Sequence, residues 1–172
     1  GLIRGFPIVL EVHDRPKGNL GPRLLRWVIR HKGQKRLAVI TRALAKVLES
    51  EFNLPIDTAS LVIAPDGVDL ERYEDLPAPA IARERLNLQP KFTGVYTGHL
   101  YPGRGMDLLE GMARELPEMQ FLWVGGQPQT VDAWRETVRN TGIDNITLTG
   151  FVENKNLALY QAAGDVLLMP YE

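Results

Sequence analysis

The stretch TGHLYPGRGMDLLEGM, Thr97 to Met112, decides how the chain is read. It follows a β-like apolar run, passes through a loop with two glycines and an arginine, and opens a helix. Glycine lacks a Cβ, so Gly98, Gly103 and Gly105 let other groups approach the backbone closely. A helix N-terminus presents unpaired N–H groups and a partial positive charge. Arg104 adds a rigid fork of donors that suits phosphate oxygens. Strand, glycine turn, arginine and helix start together make an anion site. The same residues also suit a plain tight turn carrying a solvated arginine, and the loop alone does not separate the two. The glycine spacing is not that of a dinucleotide-binding fingerprint, and no P-loop motif occurs in the chain.

Outward from this loop the pattern repeats. Strands are expected at 92–97, 120–124, 145–150 and 165–169. Helices are expected from about 105 to 116, at 130–141 and at 155–163. The apolar face of the first helix is read as Met106, Leu109 and Met112, flanked by Leu108 and Leu116. The next carries Val131, Trp134 and Val138. Toward the N-terminus, strands are expected at 6–12, 36–41 and from 60 into the PDG turn. A helix at 24–30 would place Leu24, Trp27 and Val28 on one face. Thr41 is placed to cap a helix whose Ala43, Leu44, Val47 and Leu48 recur at helical spacing. LPAPA, Leu76–Ala80, reads as a linker. Trp27, Trp123 and Trp134 are expected to pack rather than to stack on ligand.

Such alternation predicts an α/β fold with parallel sheets covered on both faces. Ligands in these folds bind beyond the carboxyl ends of strands. Those ends carry His13-Asp14, Thr41-Arg42, Pro65-Asp66-Gly67, Gly98-His99, Gly125-Gly126, Gly150-Phe151 and Pro170-Tyr171. Tyr101 and Tyr171 lie close enough to such ends to touch a ligand.

Composition narrows the function. With 172 residues, 44% of them apolar, the chain can bury a real core. The net charge of −1 gives no global attraction for nucleic acid, so none is expected as a partner. Cysteine is absent, which excludes disulfides and thiolate metal sites and fits a cytoplasmic location. Neither a membrane-spanning run nor a signal peptide is legible. The apolar runs close to both ends read as those of a piece of a longer protein. PRLLRWVIRHKGQKR, Pro22–Arg36, holds six Lys and Arg and no acid. It suits either a solvated helix face or contact with anionic lipid.

Several segments together resemble the group 1, retaining glycosyltransferases of GT-B architecture. VITRALAKVLESEFNLP with LVIAPDGVDLERY, YTGHLYPGRGMDLL, FLWVGG, and ITLTGFVENKNLALYQAAGDVLLMP match that family's segments in order and spacing. The resemblance implies two Rossmann-like domains, both incomplete here, with the active site in the cleft between them. Residues 1–75 would be the C-terminal part of the acceptor-side domain with the crossing segment, and 76–172 the truncated donor-binding domain. It implies transfer of a sugar from a nucleotide-sugar, UDP-sugar favoured and GDP-sugar possible, to a saccharide or lipid-linked acceptor. Polysaccharide or glycolipid assembly at the cell surface would be the setting, with a cytoplasmic protein that can sit peripherally on the membrane. No cofactor and no obligate metal are implied, because basic side chains and helix N-termini hold the diphosphate.

Residue by residue, Gly98, His99, Gly103, Arg104 and Gly105 match the donor diphosphate site. Arg104 stands where the family usually has lysine, and His99 where many members have arginine. Gly125, Gly126, Phe151 and Val152 match the base and ribose site. His13 resembles the active-site histidine of the acceptor side, so His13 and Arg104 are the catalytic candidates. Asp66 replaces the usual asparagine of the NGVD turn; with Asp69 it is expected to form turns rather than a hydrolytic carboxylate pair. The family's E-x7-E element is expected beyond DVLLMP, and Glu172 lies too near Pro170 to be assigned to it. A catalytically inactive nucleotide-binding module and a GT-B epimerase or phosphorylase share much of this pattern.

Overall fold

The computed structural model describes residues 4–52 and 60–170. The chain divides into two units, Gly1–Val68 and Asp69–Glu172.

In the first unit three short strands form a parallel sheet in the order β1-β2-β3: β1 is Ile8–Val12, β2 is Lys35–Val39 and β3 is Leu61–Ile63. The crossover helices are α1, Leu20–Arg30, and α2, Arg42–Phe52. The Thr41 hydroxyl accepts from the Leu44 amide at 3.0 Å, which satisfies one of the first amides of α2 as its sequence predicts. The core is Val12, Leu25, Leu37, Val39, Ala45 and Leu48.

The apolar face read for α1 is corrected. Leu25 is buried and Ile29 packs on the core, whereas Leu24 and Trp27 are 60% and 45% exposed. The helix has two apolar stripes rather than one. Residues 21, 25, 28 and 29 share the inner stripe, and Leu20, Leu24 and Trp27 share the outer one at i, i+4, i+7 spacing. On α2 Leu48 is buried and Leu44 and Val47 partly so, as read, while Ala43 is exposed and Ala45 joins the core.

The second unit is a four-stranded parallel sheet in the order β6-β5-β4-β7. Its helices are α3, Pro79–Arg85; α4, Met106–Glu115; α5, Pro128–Thr141; and α6, Asn154–Ala162. Its strands are β4, Thr93–Thr97; β5, Gln120–Val124; β6, Ile146–Gly150; and β7, Val166–Leu168. Strand β5 is buried along its whole length, which explains its unbroken apolar run FLWV. Trp123 and Trp134 meet edge to face with ring centroids 5.4 Å apart. On α4 the buried residues are Met106, Leu109 and Ala113, with Met112 and Leu116 partly buried and Leu108 exposed.

Of the stretch read as a linker, Leu76–Ala78 lies outside any helix, while Pro79 and Ala80 open α3. Pro79 occupies its first turn, where a missing N–H costs nothing. Arg83 then anchors the helix, donating to the Ala163 carbonyl at 2.9 Å and to Asp165 at 2.8 Å. The short 3-10 turn Leu70–Tyr73 also goes with this unit, because the Tyr73 hydroxyl donates to Gln161 on α6 at 2.8 Å. Residues 69–75, left with the first domain on sequence grounds, therefore group with the second.

Candidate functional site

The second sheet sets the place. From β4 the chain steps outward to β5 and β6, then returns to the far side of β4 as β7. The strand order therefore reverses between β4 and β7, the kind of position where open α/β sheets bind ligands. The opening loop leaves β4 at this switch point.

Three strand ends meet there through backbone contacts. The Gly98 amide donates to the Val124 carbonyl and the Gly125 amide to the Gly150 carbonyl, each at 2.9 Å. A Cβ on Gly125 would collide with the Gly98 carbonyl oxygen. One on Gly98 would come within 2.9 Å of the Tyr96 hydroxyl, and one on Gly126 within 2.9 Å of Leu100. These glycines thus let the ends of β4, β5 and β6 lie flush against one another and against the core. Gly103 faces open space, with φ +83°. Gly105 is buried at the N-cap of α4, and what its missing Cβ makes room for is Pro170, just past β7.

The loop backbone is fixed from beneath. Leu100 is buried and its carbonyl accepts from Trp134 Nε1 at 3.1 Å. The Tyr96 hydroxyl donates to the His99 carbonyl at 2.7 Å. Above it the side chains form one cluster. The His99 and Tyr101 rings stack with centroids 5.3 Å apart and planes 27° from parallel. The Arg104 guanidinium lies 5.0 Å from the Tyr101 ring centre, and Nη2 donates to the Tyr101 hydroxyl at 2.7 Å. A guanidinium and an imidazole thus share one tyrosine ring in the loop that leads into α4, and the N-terminus of a helix favours an anion through its N–H groups and dipole.

Of the residues assigned to base and ribose, Gly125 and Gly126 sit at the end of β5. Phe151 follows Gly150 and is 80% exposed, an apolar ring in water beside the strand ends. Val152 instead packs against the cluster of Ala82, Val95, Leu122, Val124 and Ala163. Thr97 Oγ1 accepts from Gln161 Nε2 at 3.2 Å. Tyr171 and Glu172 lie outside the described residues.

His13, in the first unit, stands just past β1. Its Nε2 lies 2.9 Å from Glu11 and its Nδ1 3.5 Å from Asp66, so carboxylates face both ring nitrogens. Asp66, expected as a turn former, is thus also a neighbour of His13, while Asp69 pairs with Arg72 at 2.8 Å. The pairing of His13 with Glu11 and the clamp of Tyr101 on Arg104 are not visible from sequence motifs. The one hint was an aromatic residue inside a glycine-rich loop. Among the described residues no cluster of three or more His, Cys, Asp or Glu is arranged to hold a metal ion. No described helix is long and apolar enough to cross a membrane.

Known proteins share this framework. The chain is 26% identical over 113 residues to an alpha-galactosylglucosyldiacylglycerol synthase of Streptococcus pneumoniae, covering 62% of the chain and 30% of the synthase. Anabaena HepE, solved in complex with UDP, superposes with a TM-score of 0.74 at 17% identity over 96% of the chain and 47% of HepE. WaaG, a glycosyltransferase involved in lipopolysaccharide biosynthesis, superposes with a TM-score of 0.66 at 20% identity over 97% of the chain and 51% of WaaG. No protein-family model matches the sequence. The chain spans about half the length of these two solved structures, 47% and 51%. The fold expected from the sequence thus holds in three dimensions, and it is the fold of the GT-B glycosyltransferases.

Proposed function

We propose that this chain carries the donor site of a retaining glycosyltransferase that moves a sugar from UDP-sugar to a saccharide or lipid-linked acceptor in polysaccharide or glycolipid assembly. The observation that carries the reading is the cluster at the switch point: Arg104 and His99 held on Tyr101, in the loop that runs from β4 to α4, with the ends of β4, β5 and β6 joined through their backbone. The complexes of HepE with UDP and with UDP-glucose support a uridine nucleotide as the ligand of this fold. The name of the streptococcal synthase supports a glycolipid product.

In such a reaction the bond between the anomeric carbon and the diphosphate breaks, and negative charge grows on the leaving diphosphate. Cations and N–H groups that hold that charge more tightly in the transition state lower the barrier. Arg104, His99 and the backbone at Gly103–Gly105 are proposed for this part, with Gly98 giving the diphosphate access. Gly125, Gly126, Phe151 and Val152 are proposed for the base and ribose. His13 is proposed to hydrogen-bond the transferred sugar. With side chains in that role, no obligate metal is needed. A cytoplasmic location, with peripheral contact to the membrane through α1, belongs to the same proposal.

The test is transfer of radiolabelled sugar from UDP-sugar and from GDP-sugar to a lipid or saccharide acceptor by the full-length protein, with and without chelator. UDP-dependent transfer that ignores the chelator and is lost in Arg104→Ala supports the proposal. Tight nucleotide binding without any turnover would point to an inactive binding module instead.

A further inference from the structure

Tyr101 is the centre of the loop cluster and has no part in the proposed chemistry. It is 42% exposed, so core packing does not account for its position. Its ring lies against the His99 ring and the Arg104 guanidinium, and its hydroxyl accepts from Arg104 Nη2. The backbone on the same loop is held independently, by Trp134 on the Leu100 carbonyl and by Tyr96 on the His99 carbonyl. The core therefore fixes where the loop runs, and Tyr101 fixes where its two cationic or hydrogen-bonding side chains point.

We propose that Tyr101 is a positioning residue that holds Arg104 and His99 in place before the donor diphosphate arrives. The inference rests on the donor-site reading above. Ordering a long side chain on binding opposes affinity, and a side chain already held loses less. A guanidinium has five N–H donors, and the bond to Tyr101 uses one of them. Arginine rather than lysine is what allows this tie, because a planar guanidinium both stacks on an aromatic face and donates sideways. The family's usual lysine at this position offers no comparable plane, so Tyr101 and Arg104 work as a matched pair.

The experiment is calorimetric titration of UDP into the wild-type chain, Tyr101→Ala, Tyr101→Phe, Arg104→Ala and the double variant Tyr101→Ala/Arg104→Ala. Thermal melting of each serves as the folding control. Tyr101→Ala is expected to weaken UDP binding by about 3- to 10-fold, the range that corresponds to one immobilised side chain. Tyr101→Phe keeps the stack and should recover most of that loss. In the Arg104→Ala background only the hold on His99 remains, so Tyr101→Ala should weaken binding less there than in the wild-type chain. Undiminished binding in Tyr101→Ala, with Arg104→Ala weakened, overturns the inference and leaves the donor site standing. An equal loss from Tyr101→Ala in both backgrounds overturns it too, because Tyr101 would then have no hold on Arg104. Arg104→Ala binding UDP like wild type removes the donor-site reading and the inference together.

Discussion

The carbonyl oxygen of Pro170 stands where a Cβ on residue 105 would have to be. The residue that starts α4 is thereby locked to the chain just past β7, across the switch point of the sheet. Gly105 also has φ +66°, a conformation that disfavours any side chain. Gly105→Ala meets both obstacles. It is expected to lower the stability of the second unit by about 2–4 kcal/mol, combining left-handed strain with a backbone clash. Gly103→Ala meets only the left-handed strain, at φ +83° with open space around it, and should cost about 1–2 kcal/mol. Urea unfolding followed by tryptophan fluorescence compares them, and equal losses would mean that Pro170 gives way freely.

Asn145 is a second structural point that no motif announced. It is 8% exposed, and the two N–H groups of its side-chain amide are shared among the carbonyls of Ala113, Leu116 and Met119, at 2.9, 3.0 and 3.2 Å. Those carbonyls sit at and beyond the C-terminus of α4, where intrahelical partners run out. Asn145→Ala leaves them without this donor and should cost about 1–3 kcal/mol. Chemical denaturation of the variant checks it, and a change under 0.5 kcal/mol (about the size of a neutral surface substitution) would show that water replaces the amide.

Much of the second unit was legible because its strands are short and alternate with helices, of which α4 and α5 have one clear inner face. The ends of β5 fell at the predicted residues. Two elements resisted. On α1 two apolar stripes compete, and which one faces inward depends on the sheet beneath, not on the helix. For α3, two prolines suggested a linker, yet Pro79 is harmless in a first turn and the helix is held by Arg83, whose partners lie some 80 residues away, near Asp165. The candidate site divides the same way. Strand-end glycines and Arg104 are local signals. The contacts that explain them, Gly98 with Gly125, Gly105 with Pro170, Arg104 with Tyr101, depend on chain crossings or rotamers that spacing does not encode.

His13 offers a test that separates chemistry from binding and folding. It is half exposed and pairs with Glu11 and Asp66 at the surface of its unit, so its removal should leave thermal stability nearly unchanged. His13→Ala in the full-length protein is expected to keep UDP affinity within about twofold and to slow sugar transfer by roughly tenfold or more, the loss of one hydrogen bond to the reacting sugar. Steady-state kinetics beside calorimetry resolves the two. Transfer at the wild-type rate would remove His13 from the mechanism.

The outer stripe of α1 predicts lipid contact. Leu20, Leu24 and Trp27 are exposed, and Arg23, Arg26, Trp27, Arg30, His31 and Lys32 line a shallow groove of about 680 Å³ beside them. Apolar side chains flanked by arginines suit an anionic bilayer surface, each cation adding about 1 kcal/mol of attraction. The chain should sediment with vesicles containing phosphatidylglycerol and not with pure phosphatidylcholine, and Trp27 emission should shift to the blue. Arg23→Glu/Arg30→Glu should abolish sedimentation. Binding indifferent to both lipid charge and these substitutions would leave α1 as a solvated helix face.

The most direct measurement is the affinity of UDP for this chain and for Arg104→Ala, by calorimetry in the presence of chelator. A charge-assisted contact to the diphosphate contributes about 1.5–3 kcal/mol, so the variant should bind roughly 10- to 100-fold more weakly. Binding of UDP that survives the chelator and falls by that factor is the predicted result. A folded Arg104→Ala chain that binds UDP as tightly as wild type would contradict a diphosphate site in the loop from Gly98 to Gly105.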